Sequence, residues 1–575
     1  MTSISSQDAV LARPPLAPSL AWARVKPAAW MAAVVLVVAL AQALAWRPSE
    51  PFHNNDETRH VLTGVFFHDF LVDLPLDRPR AYAVEYYLQY PALGLMVWPP
   101  LFHGVEGVFM LAFGTSFLTA RAVVWLFCAL AGAYLFLLVR RTHDTFAATA
   151  AVLLFGLSPM VFELTRRVML EIPALAFGLA AVYHFVRYLD DGRRRDIFLA
   201  ATAAACLALT RYDGPCLILF FVLYLLGLRR FDVLRRREVW LAALLALVLV
   251  LPVYVPMLAG FGKAHFQLTV TGGANSERTG DGPLAALAFY PGTLVRQIGW
   301  AILVPSVVGL LAALGPARRR ACWPYLALAA ATYLTFTPLA ERQARHAIYW
   351  VPAFVLFAVE GITWIAGRLP RFSRLRRPQT AAVLAGLVAG LAFWRVAARP
   401  ATYVRGYAEA ARYVVANTRS SRFCLMDGYL NGDFIYQIRR HDPARRLWAL
   451  RGDKILYSVL TDPRTGYREY AGGESGILDM LFRYDPELIV IEEPQVYFKI
   501  PMAEQLRRTL AGHPERFERV KVFPIESNAV MFAGAQLAVY RSKVRNPNPA
   551  RQVTLDMIGL GQTLGADLPA DPQKR

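Results

Sequence analysis

The stretch WMAAVVLVVALAQALAW, residues 30–46, contains no charged side chain and is long enough to cross a bilayer as a helix. A second stretch, WLAALLALVLVL at residues 240–251, is equally free of charge. Over all 575 residues the composition is 56% hydrophobic and only 18% charged, which is too little charge to cover a soluble protein of this length. The sequence therefore predicts a multi-pass α-helical membrane protein.

Short basic clusters separate the apolar runs and predict the topology. These clusters contain many of the basic residues that give the net charge of +20. We interpret them as loops that face the cytoplasm and not as a nucleic-acid-binding surface. If all six clusters face the cytoplasm, the chain crosses eleven times, with the amino terminus inside and the carboxyl terminus outside. The clusters are Arg24/Lys26, Arg140/Arg141, Arg193–Arg195, Arg229–Arg237, Arg318–Arg320 and Arg368–Arg377. The predicted helices are 28–46, 119–139, 145–162, 173–189, 197–210, 214–228, 239–259, 297–314, 321–338, 347–366 and 379–398.

The apolar segment 91–113 is not counted as a span, because a crossing there would move the Arg140/Arg141 cluster to the outside. We expect it to lie flat on the outer surface or to re-enter, within a long outer loop 47–118. The helices 197–210 and 214–228 are short, since about fourteen residues reach only ~21 Å of a ~30 Å core. The turn 210–214 between them is therefore predicted to lie below the outer surface, under a water-filled cavity.

After residue 398 the pattern changes from long apolar helices to alternating short strands and helices. This alternation predicts an extracytoplasmic α/β domain over residues 399–543. Residues 1–27 are predicted to be a cytoplasmic tail, 28–398 the transmembrane module, and the polar, proline-rich residues 544–575 a disordered tail. The five cysteines show no CxxC and no metal spacing, so no disulfide framework is expected.

Adjacent carboxylates follow the first helix in PFHNNDETRH, residues 51–60. One interpretation is a helix start capped by Asn55 or Asp56. The other is a general base, in which Asp56 accepts a proton from an acceptor hydroxyl as it attacks a sugar. His53, Glu57 and His60 also suggest a weak metal site, so binding of a divalent metal stays an alternative at this point.

A second acidic position, Glu171, lies in RRVMLEIP, residues 166–173, on the predicted outer side. It either stabilises a helix start or faces Asp56 across one cavity, where paired carboxylates would raise each other's pKa. Basic residues on the outer side break the cytoplasmic bias, so they either reach toward lipid head groups or bind a phosphate. The phosphate candidates are Arg211, Arg342, Arg345 and His346, followed by the weaker Arg78, Arg80 and Arg121.

Several of these motifs resemble those of GT-C glycosyltransferases, especially protein O-mannosyltransferases and the lipid A aminoarabinose transferase. Asp56-Glu57 is similar to the family's first acidic motif, and residues 166–173 to its second. The other matching segments are Tyr90-Pro91, residues 98–103 with Arg121, residues 345–352, and the outer-domain segments 427–432 and 451–454. The resemblance covers about residues 20–540, mostly as topology.

The resemblance implies an inverting transfer from a polyprenyl-phosphate sugar at the outer face of the plasma (inner) membrane. Asp56 would be the base, supported by Glu57 and Glu171. The acceptor would be a glycan, a lipid or a protein, with membrane lipids as further partners. The residues implied to hold the donor phosphate are Arg211, Arg342, Arg345, His346 and Arg121. Two departures are Glu171, where the family often has Asp, and Arg211, where it usually has Lys.

Two other classes of protein compete with this interpretation. A transporter or flippase of polyprenyl-linked lipids or glycans would show two similar halves and ionisable residues at the membrane midplane, and neither is evident. A non-catalytic assembly or binding protein would use its outer α/β domain alone. Substitution of Asp56 distinguishes the classes, because it should abolish an enzyme and barely affect a scaffold.

Overall fold

Helices form most of the described chain between residues 27 and 397 in a computed structural model of the protein. The structure describes residues 26–45, 52, 54–95, 97–260, 263, 270, 282–369, 376–459, 466–496, 498–557 and 562–568. The helices are α1 (Pro27–Leu44), α2 (Asn55–Asp73), α3 (Pro79–Gln89), α4 (Leu101–Phe113), α5 (Phe117–Thr142), α6 (Thr145–Gly156), α7 (Pro159–Thr165), α8 (Glu171–Asp191), α9 (Arg194–Ala208), α10 (Gly214–Leu228), α11 (Arg237–Leu258), α12 (Pro283–Ile298), α13 (Trp300–Ala313), α14 (Pro316–Phe336), α15 (Val351–Arg368) and α16 (Arg377–Ala397). A 3-10 helix, Ala344–Trp350, leads directly into α15.

Six helices of the described chain are long and apolar enough to cross a membrane, or seven if the bent pair α6 and α7 forms one span. The six are α1, α5, α8, α11, α16 and the combined helix Ala344–Arg368. Shorter apolar helices, among them α10 and α13, fall below the length of a full span. The chain is therefore a multi-pass membrane protein, and the predicted number of eleven spans is not established.

Two predicted helices are broken, which corrects the sequence prediction. The helix predicted over 145–162 bends by 62° between α6 and α7. Pro159 begins α7, a position that favours proline because the first N–H groups of a helix have no partner within it. The helix predicted over 297–314 begins inside α12 and is interrupted at Gly299, whose φ of 76° lies in the left-handed region. Segment 91–113 is irregular up to α4, which packs against α2 and α5.

The carboxyl-terminal region contains the strands β1 (Val404–Arg405), β2 (Phe423–Asp427), β3 (Trp448–Arg451), β4 (Tyr457–Val459), β5 (Tyr467–Glu469), β6 (Leu488–Glu493), β7 (Phe517–Pro524), β8 (Glu526–Ser527) and β9 (Gln536–Ser542). Five of them form a sheet with strand order β3-β2-β6-β9-β7. The neighbours β3, β2 and β6 are parallel, whereas β9 pairs antiparallel with both β6 and β7. The helices of this region are α17 (Tyr407–Asn417), α18 (Asn431–His441), α19 (Gly452–Ile455), α20 (Glu474–Tyr484) and α21 (Pro501–Gly512).

Both faces of this sheet are covered, and for that reason residues 423–426 of β2 and 488–491 of β6 are continuous apolar runs. Cys424 and Met426 of β2 pack in one cluster with residues of α17 and α18. Leu425, between them, packs in a second cluster with residues of α20 and α21. The alternation predicted after residue 398 thus corresponds to strands and helices among the described residues.

The prediction of a disordered tail at 544–575 is wrong for part of that segment. Residues 552–557 (β10) pair antiparallel with 562–567 (β11). Val553, Leu555 and Met557 alternate with polar residues and are buried in the same cluster as Leu88 of α3. This period-two pattern is typical of a half-buried strand, and it outweighs the polar composition.

A buried ion pair fixes the α/β region to the helices. Arg439 of α18 donates to Asp69 of α2 from Nε at 2.8 Å and from Nη2 at 2.7 Å. Tyr86 donates a third hydrogen bond to Asp69 at 2.7 Å. The helices approach closely at Gly432, where a Cβ would lie 2.3 Å from Oγ1 of Thr58. The amino-terminal end of α2 is thereby held beside the sheet.

Candidate active site

A cavity of about 950 Å³ opens between the helical part and the α/β region. The helical part contributes the start of α2, the segment 91–98, the start of α8, the turn 211–213 and the segment 339–346. The α/β region contributes residues that follow β2, β3 and β6. The predicted short turn at 210–214 thus borders a cavity, and three of the predicted motif segments meet there.

Asp56 reaches this cavity from the first turn of α2. The helix begins at Asn55 with Asn54 as its cap, whose side chain accepts a hydrogen bond of 2.7 Å from the Asp56 N–H. The side chain of Asp56 is 27% exposed. Its Oδ2 accepts from Nη2 of Arg345 at 3.4 Å, and its Oδ1 lies 3.7 Å from Arg59. The segment therefore starts a helix as predicted, but its cap is Asn54 and not Asn55 or Asp56, and Asp56 is an accessible carboxylate.

Glu171 faces the same cavity but is held tightly. Its carboxylate is 2% exposed and lies 2.5 Å from Arg211 and 3.4 Å from Arg345. Arg211 also contacts Asp213 at 2.8 Å. The expected pairing of carboxylate with carboxylate is therefore wrong, because Arg345 lies between Asp56 and Glu171 and contacts both.

Glu57 points away from the cavity. It is fully buried, accepts a hydrogen bond of 3.2 Å from Arg121, and accepts another of 3.2 Å from the Val168 N–H. Arg121 also lies over the rings of Phe52 and Phe117, at 5.9 Å and 5.1 Å. The predicted phosphate contact of Arg121 is therefore wrong, because this arginine neutralises Glu57 inside the helical part.

The remaining phosphate candidates divide between the cavity and its surroundings. Arg211, Arg345 and His346 all line the cavity. Arg342 does not appear on its described wall, and its Nε donates to the Thr337 carbonyl at 3.3 Å. The predicted phosphate contact of Arg342 is therefore contradicted for this cavity.

The weak metal candidates do not converge. Among the described residues, no three His, Cys, Asp or Glu side chains form a group that could hold a metal ion. His60 lines the cavity, but its Nδ1 lies 3.0 Å from Nε2 of His103, and burial lowers the pKa of His60 to about 3. The two rings are thus a neutral hydrogen-bonded pair. His53 lies outside the described residues.

The chain resembles known proteins in part of its sequence and in its fold. Residues 98–255 match the family model described as dolichyl-phosphate-mannose-protein mannosyltransferase. No curated protein sequence matches the chain at a significant level. The fold is similar to ArnT from Cupriavidus metallidurans in a crystal structure with undecaprenyl phosphate, at a TM-score of 0.61 and 14% identity, covering 90% of this chain and 99% of that one.

Two further solved structures share the fold. The oligosaccharyltransferase of Archaeoglobus fulgidus matches with a TM-score of 0.51 at 14% identity, covering 80% of this chain and 69% of that chain. The mycobacterial arabinofuranosyltransferase AftD matches with a TM-score of 0.50 at 15% identity, covering 92% of this chain and 41% of that chain. The chain therefore shares its fold with these three structures, and its residues 98–255 match the mannosyltransferase family model.

The cavity also contains residues that the sequence did not single out. Arg59 and Glu341 line its wall. Burial raises the pKa of the Glu341 carboxyl, and Arg345 acts in the opposite direction. Arg59 lies one helical turn from Asp56, so its i,i+3 spacing was the signal that could have identified it. Glu341 carried no such signal beyond its place in the motif 341–350.

Proposed function

We propose that the chain is a glycosyltransferase that moves a sugar with inversion from a polyprenyl-phosphate sugar to an acceptor hydroxyl, with Asp56 as the base. The observation that carries the proposal is the difference between Asp56 and the cavity carboxylates that arginines hold. Glu171, Asp213 and Asp453 each have an arginine within 2.8 Å. Asp56 has no arginine closer than 3.4 Å among the described residues and remains partly exposed to the cavity. It is therefore free to accept a hydrogen bond from an acceptor.

The proposed step balances as a single displacement. The acceptor oxygen forms a bond to the anomeric carbon, and its proton passes to the Asp56 carboxylate. The bond between the anomeric carbon and the phosphate oxygen breaks, and its electron pair leaves with the polyprenyl phosphate. A phosphate is a stable anion, so the step needs no strong general acid. Attack on the face opposite the leaving group inverts the anomeric centre.

The donor phosphate would bind at the helical side of the cavity, near Arg345, Arg211 and His346. An arginine guanidinium can donate two parallel hydrogen bonds to two phosphate oxygens, which makes this wall suitable for an anionic leaving group. Two findings support a polyprenyl donor: the family model is named for a dolichyl-phosphate sugar, and the similar ArnT structure holds undecaprenyl phosphate. Apolar side chains on the same wall fit a lipid carrier, namely Leu93, Leu95, Trp98, Met160 and Leu164.

The proposal includes a location and a division of the chain. Residues 28–398 would form the transmembrane module and 399–543 the domain outside the plasma (inner) membrane. The cytoplasmic bias of the arginine clusters supports this orientation. The acceptor would be a glycan, a lipid or a protein reached from the outer face.

The proposal is tested with purified full-length protein and a panel of polyprenyl-phosphate sugars. Asp56→Asn should bind donor normally but lose about 10²–10⁴ in turnover, because an amide cannot accept the proton. Glu57→Gln should behave differently, since it leaves the buried Arg121 without a counter-ion and costs up to about 3–5 kcal/mol of stability. Its loss of activity should follow its loss of folded protein. Asp77→Asn, an exposed Asp-to-Asn change between α2 and α3, is the matched control.

Two measurements separate the outcomes: turnover per folded molecule and the melting temperature in detergent. Normal turnover by Asp56→Asn would show that this carboxylate only starts a helix. Consumption of no donor in the panel by the wild-type protein would reject a polyprenyl-phosphate sugar as the substrate class.

A further inference from the structure

The carboxyl ends of all three parallel strands open on the cavity. The segments that follow them, 428–431 after β2, 452–454 after β3 and 495–496 after β6, contribute to its wall. In α/β sheets, ligands bind beyond the carboxyl ends of parallel strands. The sheet edge is therefore a second binding surface, opposite the helical wall that carries Arg211 and Glu171.

The turn after β3 is pressed against β2. A Cβ on Gly452 would lie 2.4 Å from Oδ2 of Asp427, so only glycine allows this approach. Arg451 then donates to Asp453 from Nε at 2.8 Å and from Nη2 at 2.5 Å. A third bond from Arg451 reaches the Pro91 carbonyl at 2.6 Å. Arg451 and Asp453 thus neutralise each other and fix the turn to the helical part.

Lys454 is the third charged residue of this turn, and it takes no part in the pair between Arg451 and Asp453. It is half-buried and lines the cavity, yet among the residues that the structure describes none forms a hydrogen bond or an ion pair with its amine. Burial, and then the neighbouring Arg451, lowers the pKa of Lys454 to about 8. An ammonium group without a counter-ion next to other cations is unfavourable, and a bound anion would relieve that cost.

The position of Lys454 indicates which substrate such an anion belongs to. The donor phosphate is already provided for on the helical wall, by Arg211 and Arg345. Lys454 lies on the opposite wall, and Arg59 is close enough both to Lys454 and to Asp56 to influence each electrostatically. A molecule that places a hydroxyl at Asp56 would therefore reach Lys454 along the part of the wall that Arg59 lines.

We propose that Lys454 binds an anionic group, phosphate or carboxylate, of the acceptor substrate. This inference rests on the proposed transfer reaction and adds a substrate class to it. Lys454 is then a specificity-determining residue, because an acceptor without the anion loses one charged contact. The loss of such a contact in a partly desolvated site corresponds to more than a tenfold change in affinity.

The test uses the full-length protein in membrane vesicles of its host, which carry the acceptor, and follows donor consumption. Glucuronate and glucose 6-phosphate serve as anionic probes, with glucose as the neutral control. We expect both anions to inhibit, glucose to be without effect, and excess donor not to relieve the inhibition. Lys454→Met should need at least tenfold more anion for the same inhibition, and Lys454→Arg should restore sensitivity. Lys521→Met, an exposed change on β7, should match the wild type.

The possible results separate the two proposals. No inhibition by either anion, equal inhibition by glucose, relief by excess donor, or unchanged sensitivity of Lys454→Met would each overturn the role of Lys454. All four leave donor consumption by the wild-type protein intact. If the wild-type protein consumes no donor, it is the proposed function itself that fails.

Discussion

The ion pair between Asp69 and Arg439 should be essential for holding the helical part and the α/β region together. Asp69→Asn keeps the size of the side chain but removes the negative charge that faces a buried guanidinium. Two charge-assisted bonds, of 2.7 and 2.8 Å, and the bond from Tyr86 are weakened at once. Loss of one partner from a buried pair costs about 3–5 kcal/mol, because the other charge stays buried without compensation.

The size of the thermal effect depends on which part of the chain unfolds. Unfolding entropy is about 2.1 cal/mol/K per residue, so a cost of about 3–5 kcal/mol lowers the melting temperature by about 2–4 °C if all 575 residues unfold together. If residues 399–543 unfold alone, the same cost lowers their transition by about 10–16 °C. The measured shift therefore also reports whether the α/β region is an independent cooperative unit.

The assay is thermal unfolding of purified protein in detergent, combined with donor turnover at a temperature below both transitions. The double variant Asp69→Asn with Arg439→Gln completes a double-mutant cycle and isolates the coupling between the two side chains. Asp77→Asn again serves as the exposed control. A shift of less than about 1 °C in Asp69→Asn, together with additive effects in the cycle, would refute the claim that this pair fixes the two parts.

Two further predictions concern topology and pH. Single cysteines at Ser475 in α20 and Arg194 at the start of α9 should react with an impermeant thiol reagent from opposite sides of the membrane, and labelling from one side would reject the orientation. Burial raises the pKa of Asp433 to about 7, and Glu57 acts in the same direction, while its usual value is about 3.9. The folded state thus keeps a proton that the unfolded state has lost between about pH 4 and pH 7, so stability should fall as pH rises through this window. Asp433→Asn should remove this slope, up to about 4 kcal/mol, and identical pH dependence of melting in both proteins would contradict it.

Local patterns in the sequence predicted most helices and strands, because each element buries its own periodic set of apolar side chains. The short, continuous apolar run 423–426 indicates a buried strand without any knowledge of its partners. Breaks within helices are harder to predict. The bend between α6 and α7 had a signal in Pro159, but a proline at that place also fits the start of a new span.

The sequence predicted which types of residue form the site, but not which of those residues contact each other. Helical geometry implies that only one of Asp56 and Glu57 can face a cleft, since successive residues point about 100° apart. Which one does so depends on Arg121, which is 64 positions further along the chain. Arg121 looked like a phosphate ligand because its pairing with Glu57 is formed only in the fold. Long-range pairing of buried charges leaves no period in a sequence.

The arrangement around Arg345 gives two carboxylates in one cavity different chemical roles. Arg345 contacts Asp56 and Glu171 at the same distance of 3.4 Å, so this arginine alone does not distinguish them. Arg211 makes the difference, because it adds a 2.5 Å contact to a Glu171 that is already buried. An ion pair of that kind orients the arginines and holds their charge in place, whereas a carboxylate committed to it has little capacity left to take a proton. At Asp56 the second arginine, Arg59, lies further away at 3.7 Å, and the side chain remains 27% exposed. Under the proposed reaction, Glu171 positions the cations that receive the leaving phosphate, and Asp56 remains available to the acceptor.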